Sequence, residues 1–154
     1  MSDKSKDCIF CIGEDEATDK EKGILYRSSH AYVIMNRYPY NNGHLMVSPF
    51  GHSPSLEDVD ATTGQDIFWL LQRSVEILRK SFRPDGFNIG VNLGRVAGAG
   101  IEAHLHIHIV PRWNGDTNFL PVVGDVRVIS EDLKTSYANL YPYFRELRET
   151  HSPV

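Results

Sequence analysis

The most constraining feature of the sequence is an eight-residue segment, AHLHIHIV at residues 103–110, in which apolar residues and histidines alternate strictly. A period of two indicates a β-strand, because successive side chains of a strand point to opposite faces. The two faces would each collect one kind of residue: His104, His106 and His108 on one, Leu105, Ile107 and Ile109 on the other. The pattern therefore predicts a strand that packs on one face and carries chemistry on the other.

Three interpretations of this histidine face are open. The first is a set of half-exposed histidines on a sheet surface, and the second is a three-histidine metal site. Geometry opposes the second, because His104 and His108 would lie ~13 Å apart along a regular strand, whereas zinc ligands lie ~2 Å from the ion. The third is nucleophilic catalysis, since a neutral imidazole can form a covalent intermediate near neutral pH. In that interpretation His106 is the nucleophile, and its two neighbours orient it or bind the phosphate.

The rest of the chain predicts an α+β fold with a mainly antiparallel sheet. A long helix is expected over residues 66–82, where apolar residues recur at helical spacing. A second helix is expected to start at an N-cap near Ser130 and to be broken or kinked by Pro142. Further strands are expected at residues 25–29, 31–36, 43–49 and 87–93, with a glycine-rich loop at 94–100. We expect residues 1–154 to form one domain.

The composition narrows the possible partners. The formal net charge is −4, so long nucleic acid is not an expected ligand and small anions must be bound locally. No apolar run approaches the ~20 residues of a membrane-spanning helix and no signal-peptide pattern is present, so a cytoplasmic protein is expected. The only two cysteines, Cys8 and Cys11, form a Cys-x-x-Cys pair. This pair indicates metal binding or redox chemistry rather than a structural disulfide.

At its histidines the sequence resembles the histidine triad superfamily, whose signature His-x-His-x-His-x-x is matched by HLHIHIV. Residues 36–49 (NRYPYNNGHLMVSP) resemble the upstream strand-turn-strand of that family, and residues 91–100 (VNLGRVAGAG) its phosphate-side loop. The resemblance implies a homodimer of α+β protomers. It also implies a nucleotidyl intermediate on His106, whose other ring nitrogen is held by the main-chain carbonyl of His104. Water or phosphate then accepts the nucleotidyl group.

The resemblance also implies a set of substrate-binding residues. Asn92 and the turn Gly98-Ala99-Gly100 would hold phosphate and ribose, and Asn36 would bind ribose hydroxyls. Ile34 and Met46 match apolar base-pocket positions, with core packing as the alternative. Trp113 would stack on adenine or contact the other protomer, with anchoring at the surface as the alternative. Many relatives have glutamine or serine just before the triad, whereas this chain has Gly100, Ile101 and Glu102, so the loop's main chain is expected to bind phosphate.

The cysteine pair has the spacing of a zinc knuckle, and residues 12–22 do not resemble the unit that follows a redox Cys-x-x-Cys. Half a tetrahedral site is present in this N-terminal segment, residues 1–24. In some histidine triad proteins the site is completed by a histidine after the third strand and by the first histidine of the triad. Those positions are His52 and His104 here, so the resemblance implies structural zinc on Cys8, Cys11, His52 and His104. An empty or oxidised thiol pair is the alternative.

Residues 111–128 (PRWNGDTNFLPVVGDVRV), in the C-terminal tail 111–154, resemble the diadenosine tetraphosphate phosphorylase branch, which is close to the fragile-histidine-triad proteins. The leading hypothesis is therefore cleavage of diadenosine tetraphosphate or a related nucleoside polyphosphate, with phosphate as acceptor and ADP and ATP as products. One alternative is hydrolysis, which gives AMP. The other is a nucleotide-binding signalling module whose turnover is incidental.

Overall fold

A five-stranded sheet with the order β1-β2-β3-β5-β4 organises the computed structural model, which describes residues 7–39, 41–116 and 132–151. Every pairing between neighbouring strands is antiparallel, and the predicted α+β class is confirmed. The strands are β1 Ile24–Arg27, β2 Ala31–Met35, β3 Leu45–Pro49, β4 Gly86–Val91 and β5 Ile107–Arg112. The helices are α1 Asp19–Lys22, α2 Ala61–Ser81 and α3 Leu133–Thr150, with 3-10 turns at Glu16–Thr18, Leu56–Asp58 and Arg95–Ala97.

The two faces of the sheet have different roles. One face packs against α2 and α3 and forms the main core, as the alternation in the strands predicts. Its fully buried residues include Val33, Leu45, Val47, Ile109, Leu70, Leu78, Leu140 and Phe144. The other face is covered by the N-terminal segment, whose Phe10 packs with Ile24, Tyr32, Ile34 and Met46. The histidines lie on this second face.

Helix α2 begins earlier than the apolar spacing predicts. Its N-cap is Asp60, whose side chain accepts a hydrogen bond from the Thr63 amide, so the capping interaction and not the apolar face sets the start. The first turn is polar, which is why the periodic pattern did not include it. Just before β3, Gly43 has a φ of +74°, and a Cβ there would lie 3.0 Å from Leu78 Cδ2 of α2. Glycine therefore lets the chain enter β3 close to this helix.

Helix α3 corrects one prediction. It continues through Pro142, so the proline does not break it. Tyr137, Leu140 and Phe144 are buried on the two sides of the proline, and this packing holds the helix together across the lost hydrogen bond. The N-cap is Asp132, which accepts hydrogen bonds from two amides of the first turn. Ser130, the predicted N-cap, lies outside the described residues.

Strand β5 also differs from its prediction, because it begins at Ile107 and not at residue 103. Ahead of it, the Leu105 amide donates to the Ser53 carbonyl over 2.8 Å, and the Leu105 carbonyl accepts from the Ser48 hydroxyl over 2.9 Å. These bonds replace the ladder, so His104 and His106 precede the strand. No helix among residues 7–39, 41–116 and 132–151 is long and apolar enough to cross a bilayer.

Candidate active site

A main-chain hydrogen bond and a stacked phenylalanine hold the His106 ring. Its Nδ1 lies 2.8 Å from the carbonyl oxygen of His104, the contact that the family resemblance implied. A carbonyl can only accept, so Nδ1 carries the proton and Nε2 of the neutral ring keeps its lone pair. The ring is 7% exposed, and one of its faces stacks on the Phe10 ring with 4.5 Å between centroids and a 19° interplanar angle. His106 thus has the tautomer that a nucleophile requires.

His108 lies beside His106, with 5.0 Å between their ring centroids, and contacts a fourth histidine that the sequence interpretation missed. His44 Nε2 is 2.9 Å from His108 Nδ1, and His44 is 1% exposed. Burial, with His108 and His106 nearby, lowers the pKa of His44 to about 3. Burial also lowers the pKa of His108. Both rings are therefore neutral at pH 7.

Asn36 contacts this histidine pair. Its Oδ1 accepts from the Tyr38 amide over 2.9 Å, so its NH2 group faces the His44 ring, 3.4 Å from Nδ1 and 3.3 Å from Nε2. An amide NH2 only donates, and its distances to the two ring nitrogens are nearly equal, so this contact does not select which of them carries the proton. Between the two neutral rings, one of the nitrogens His44 Nε2 and His108 Nδ1 donates and the other accepts. The predicted ribose ligand Asn36 thus already uses both ends of its amide within the protein.

The predicted base-pocket residues lie in the same row of the sheet as His108. Across the antiparallel register, His108 is opposite Met46 and Met46 is opposite Ile34. Both side chains are nearly buried, at 6% and 7% exposure, in the cluster with Phe10. They therefore lie on the histidine face and pack into its core. Their contact with a base stays a prediction.

The glycine-rich loop joins β4 to the histidines. Val91 is opposite Ile107 at the last pair of the ladder, so Asn92 follows this pair on one chain segment and His106 precedes it on the other. Asn92 Nδ2 donates to the Gly98 carbonyl over 3.5 Å, and Gly98 has a φ of +91°, which favours glycine. Ala99 is buried, whereas Gly98 and Gly100 are exposed. The predicted phosphate loop and His106 thus adjoin the same end of the β4–β5 ladder, and the role of the loop stays a prediction.

A tight polar network surrounds Asp116 at the end of β5. Asp116 accepts from the Arg112 guanidinium, from the Trp113 amide and from Asn41, and this network lowers its pKa to about 2, mainly through Arg112. Arg112 also donates to Asn88, so all of its nitrogens are engaged. Arg112 therefore holds the segment that follows β5, and its guanidinium is not a free cation for phosphate. Trp113 is half-buried, and its predicted contact with adenine or a second protomer is not tested.

The four predicted metal ligands come together from three separate parts of the chain. The donor atoms of Cys8, Cys11, His52 and His104 all lie within 4.8 Å of one another. Cys8 Sγ and Cys11 Sγ are 3.5 and 3.6 Å from His104 Nδ1, and Cys11 Sγ is 3.1 Å from His52 Nδ1. A tetrahedral zinc with ordinary bond lengths would separate sulfur and nitrogen by ~3.6 Å. The donor set, two thiols and two imidazoles, is the kind that zinc prefers.

The tautomer of His104 agrees with metal binding. Its Nε2 lies 2.8 Å from the Pro49 carbonyl, so Nε2 carries the proton and Nδ1 directs its lone pair at the cysteines. Burial lowers the pKa of His104, which keeps the ring neutral. Both ring nitrogens of His104 therefore already have partners, the Pro49 carbonyl and the two thiols. His104 was also predicted to be catalytic. It contacts the His106 ring through its main-chain carbonyl and not through its own ring.

The carbonyl-held His106 beside His108 is the arrangement that the resemblance to histidine triad proteins implied. The chain belongs to the HIT family, because the HIT domain profile matches residues 17–115, and the predicted family is confirmed. The match begins after the cysteine pair and ends before α3.

The chain is similar to several known proteins. An "AP-4-A phosphorylase" of Mycobacterium tuberculosis is 39% identical over 119 residues, which cover 77% of this chain and 61% of the relative. The chain thus spans about three-fifths of the length of that relative. A "Bis(5'-adenosyl)-triphosphatase" of Saccharomyces cerevisiae is 30% identical over 91 residues, 58% of this chain and 44% of the yeast protein. A zinc-bound histidine triad family protein of Mycobacterium smegmatis has a similar structure, with a TM-score of 0.72 and 26% identity over 96% of this chain and 99% of that one.

Proposed function

We propose that this chain is a nucleotidyl transferase that cleaves diadenosine tetraphosphate, or a related nucleoside polyphosphate, at the α-phosphate and passes the adenylyl group to phosphate. The observation that carries the proposal is the 2.8 Å contact of His106 Nδ1 with the His104 carbonyl, because it leaves Nε2 as an unprotonated nucleophile. The likeness to the mycobacterial phosphorylase supports the choice of substrate and acceptor.

In the first step His106 Nε2 attacks the α-phosphorus. A nitrogen–phosphorus bond forms and the bond from that phosphorus to its bridging oxygen breaks, which releases ATP from diadenosine tetraphosphate. We propose that His44 Nε2 donates to His108 Nδ1, which leaves the proton of His108 on Nε2, where it stabilises the negative charge on the departing oxygen. In the glycine-rich loop the Gly98 and Ala99 amides donate to the Arg95 and Gly94 carbonyls, so we propose that the main chain of the exposed Gly100 contacts the phosphate oxygens.

In the second step a phosphate oxygen attacks the α-phosphorus of adenylyl-His106. The nitrogen–phosphorus bond breaks, ADP leaves, and His106 returns to its starting tautomer. Water in place of phosphate would give AMP, and the likeness to the yeast triphosphatase supports this as the second candidate. The two reactions differ only in the acceptor.

Zinc on Cys8, Cys11, His52 and His104 would have a structural role. Four protein ligands leave no open position for substrate or water. The Pro49 carbonyl and the two thiols hold the His104 ring, and the adjacent carbonyl of the same residue holds His106. We therefore propose that the metal fixes the segment that carries the nucleophile.

We also propose a homodimer that forms along β4. Among the described strands β4 pairs only with β5, so its other edge offers main-chain donors and acceptors. Large apolar side chains on and beyond this strand are exposed: Ile89 by 48%, Leu93 by 42% and Val96 fully. Light scattering should give twice the chain mass for the wild type and the chain mass for Ile89→Lys. A monomeric wild type would overturn the dimer.

A product assay tests the reaction. Diadenosine tetraphosphate is incubated with and without phosphate, and the products are separated by anion exchange. ADP and ATP that appear only with phosphate support phosphorolysis, whereas AMP and ATP in both conditions indicate hydrolysis. His106→Asn should bind nucleotide but produce neither, and unchanged turnover in this variant would favour a binding module.

A further inference from the structure

Phe10 connects the candidate metal centre to the candidate nucleophile. It lies between Cys8 and Cys11 in the sequence, and it is 1% exposed. Its ring stacks on the His106 ring, 4.5 Å between centroids, and lies 5.7 Å from the His104 ring. The neighbouring Ile9 is 62% exposed. The loop between the two cysteines therefore directs one apolar side chain at the histidines and the other at solvent.

The stack completes the orientation of His106. The hydrogen bond from Nδ1 to the His104 carbonyl fixes one edge of the imidazole, but the ring can still tilt about that bond. Stacked aromatic rings prefer a defined offset and a small interplanar angle, so the Phe10 face restricts the tilt. Only both contacts together fix the direction in which Nε2 points. An error of about 1 Å in the position of a reacting group costs roughly 10²-fold in rate.

Two contacts in turn hold Phe10. The thiols on either side of it belong to the four-residue group that fits zinc, and the Cys11 amide donates to the Cys8 carbonyl over 3.1 Å. Independently, the hydroxyl of the fully buried Tyr32 donates to the Phe10 carbonyl over 2.7 Å. A metal on the thiols would fix the loop from one side, and Tyr32 fixes it from the other.

We propose that Phe10 is a positioning residue for His106 and that zinc bound by Cys8 and Cys11 acts on the nucleophile through the Phe10 ring. This inference rests on the proposed role of His106 for its effect on rate, although the stack itself is independent of that role. It assigns a function to an apolar side chain outside the region that matches the HIT profile.

The first test is Phe10→Leu, which keeps an apolar side chain but removes the aromatic face. In the zinc-loaded, nucleotide-free protein, the ring-proton NMR signals of His106 should lose the upfield displacement that a stacked ring causes. With diadenosine tetraphosphate, kcat should fall at least about tenfold while KM changes little, because orientation and not binding is lost. The matched control is Phe50→Leu in the same cluster, 5.4 Å from the Tyr32 ring, and it should change neither.

The second test removes zinc from the wild type and from Phe10→Leu. Chelation should displace the His106 signals of the wild type towards those of the variant, and more strongly when Tyr32→Phe removes the other support. In Phe10→Leu, chelation should displace them much less, because only the route through His104 remains. A displacement of equal size in both proteins would mean that the effect passes through His104, and it would overturn the proposal. If metal-free Tyr32→Phe is unfolded, the comparison of the wild type with Phe10→Leu is enough to test the proposal.

Two further results would also overturn the inference. One is an unchanged His106 spectrum in Phe10→Leu, and the other is a rise in KM with unchanged kcat. The failure of the proposed function is recognised separately. In that case His106→Asn keeps its turnover, while the NMR signals of the resting protein still respond to Phe10 and to zinc.

Discussion

At the residue scale, the proposed chemistry depends on which nitrogen of each imidazole carries a proton. The sequence alone predicted His106 as the nucleophile, because a period of two identifies its neighbours. It did not predict His44 or Phe10, since a single histidine or phenylalanine has no periodic signal. One clue for His44 was available, because it is two residues before Met46 and therefore points to the same face of the sheet.

The role of His44 can be tested by His44→Asn. In the proposed arrangement His44 Nε2 donates to His108 Nδ1 and fixes its tautomer, so without His44 we expect kcat to fall about 10²-fold with little change in KM. Steady-state kinetics with diadenosine tetraphosphate measures this. The control is His30→Asn, which changes an exposed histidine in the β1–β2 connection and should retain full activity. Equal activity of both variants would contradict the proposed proton arrangement.

His44 also makes a prediction about stability. Its pKa is about 3 in the folded protein, against an ordinary value near 6.5, so the unfolded chain binds more protons at acidic pH. Its contribution to the free energy of unfolding is complete above pH 6.5 and is lost as the pH falls towards 3, with a slope of at most about 1.4 kcal/mol per pH unit. Urea unfolding between pH 7.5 and 5 should show a shallower dependence in His44→Asn than in the wild type. Identical slopes would count against a neutral buried His44.

At the scale of elements, the sequence predicted which helices and strands exist better than where they end. The start of α2 depends on the Asp60 cap, and the start of β5 on bonds from Leu105 to residues of another segment. Neither interaction involves apolar residues at a regular spacing, so the apolar pattern of the sequence does not reveal it. Pro142 was expected to break or kink α3, and it does not break the helix, because intrinsic propensity does not include the buried residues that hold the helix in place.

The cost of this proline is measurable. Pro142 is exposed and lies inside α3, so Pro142→Ala restores a main-chain hydrogen bond without opening a cavity. We expect the free energy of unfolding to rise by about 1–3 kcal/mol. Urea titration measures it, with Arg145→Ala on the same helix as a control that should lie within about 0.5 kcal/mol of the wild type. A less stable Pro142→Ala protein would mean that the proline makes favourable contacts of its own.

At the scale of the whole molecule, the candidate metal centre joins the N-terminal segment to two distant parts of the chain. The four donors come from residues 8–11, from His52 after β3, and from His104 before β5. Residue spacing identified only the cysteine pair, and the family resemblance supplied the two histidines. Spacing could not have supplied them, because the ligands meet only when the segment folds over the histidine face.

Zinc binding should therefore stabilise the entire fold. With free zinc at about 100 times its dissociation constant, binding adds about 2.7 kcal/mol. Chelation should lower the Tm of the zinc-loaded wild type and leave that of Cys11→Ser unchanged, because this variant lacks one thiolate. Elemental analysis should give one zinc per wild-type chain. A wild-type Tm that changes with neither zinc nor chelator would contradict a structural metal.

The central claim is that the imidazole of His106 bonds covalently to phosphorus during turnover. The most direct measurement is mass spectrometry of the protein quenched with alkali within milliseconds of mixing with diadenosine tetraphosphate in the absence of phosphate. We predict one added adenylyl group per active chain, located on His106 and lost when phosphate is added before the quench. Turnover at the normal rate with no adenylyl group on the wild-type protein, or with the group on another residue, would contradict the account.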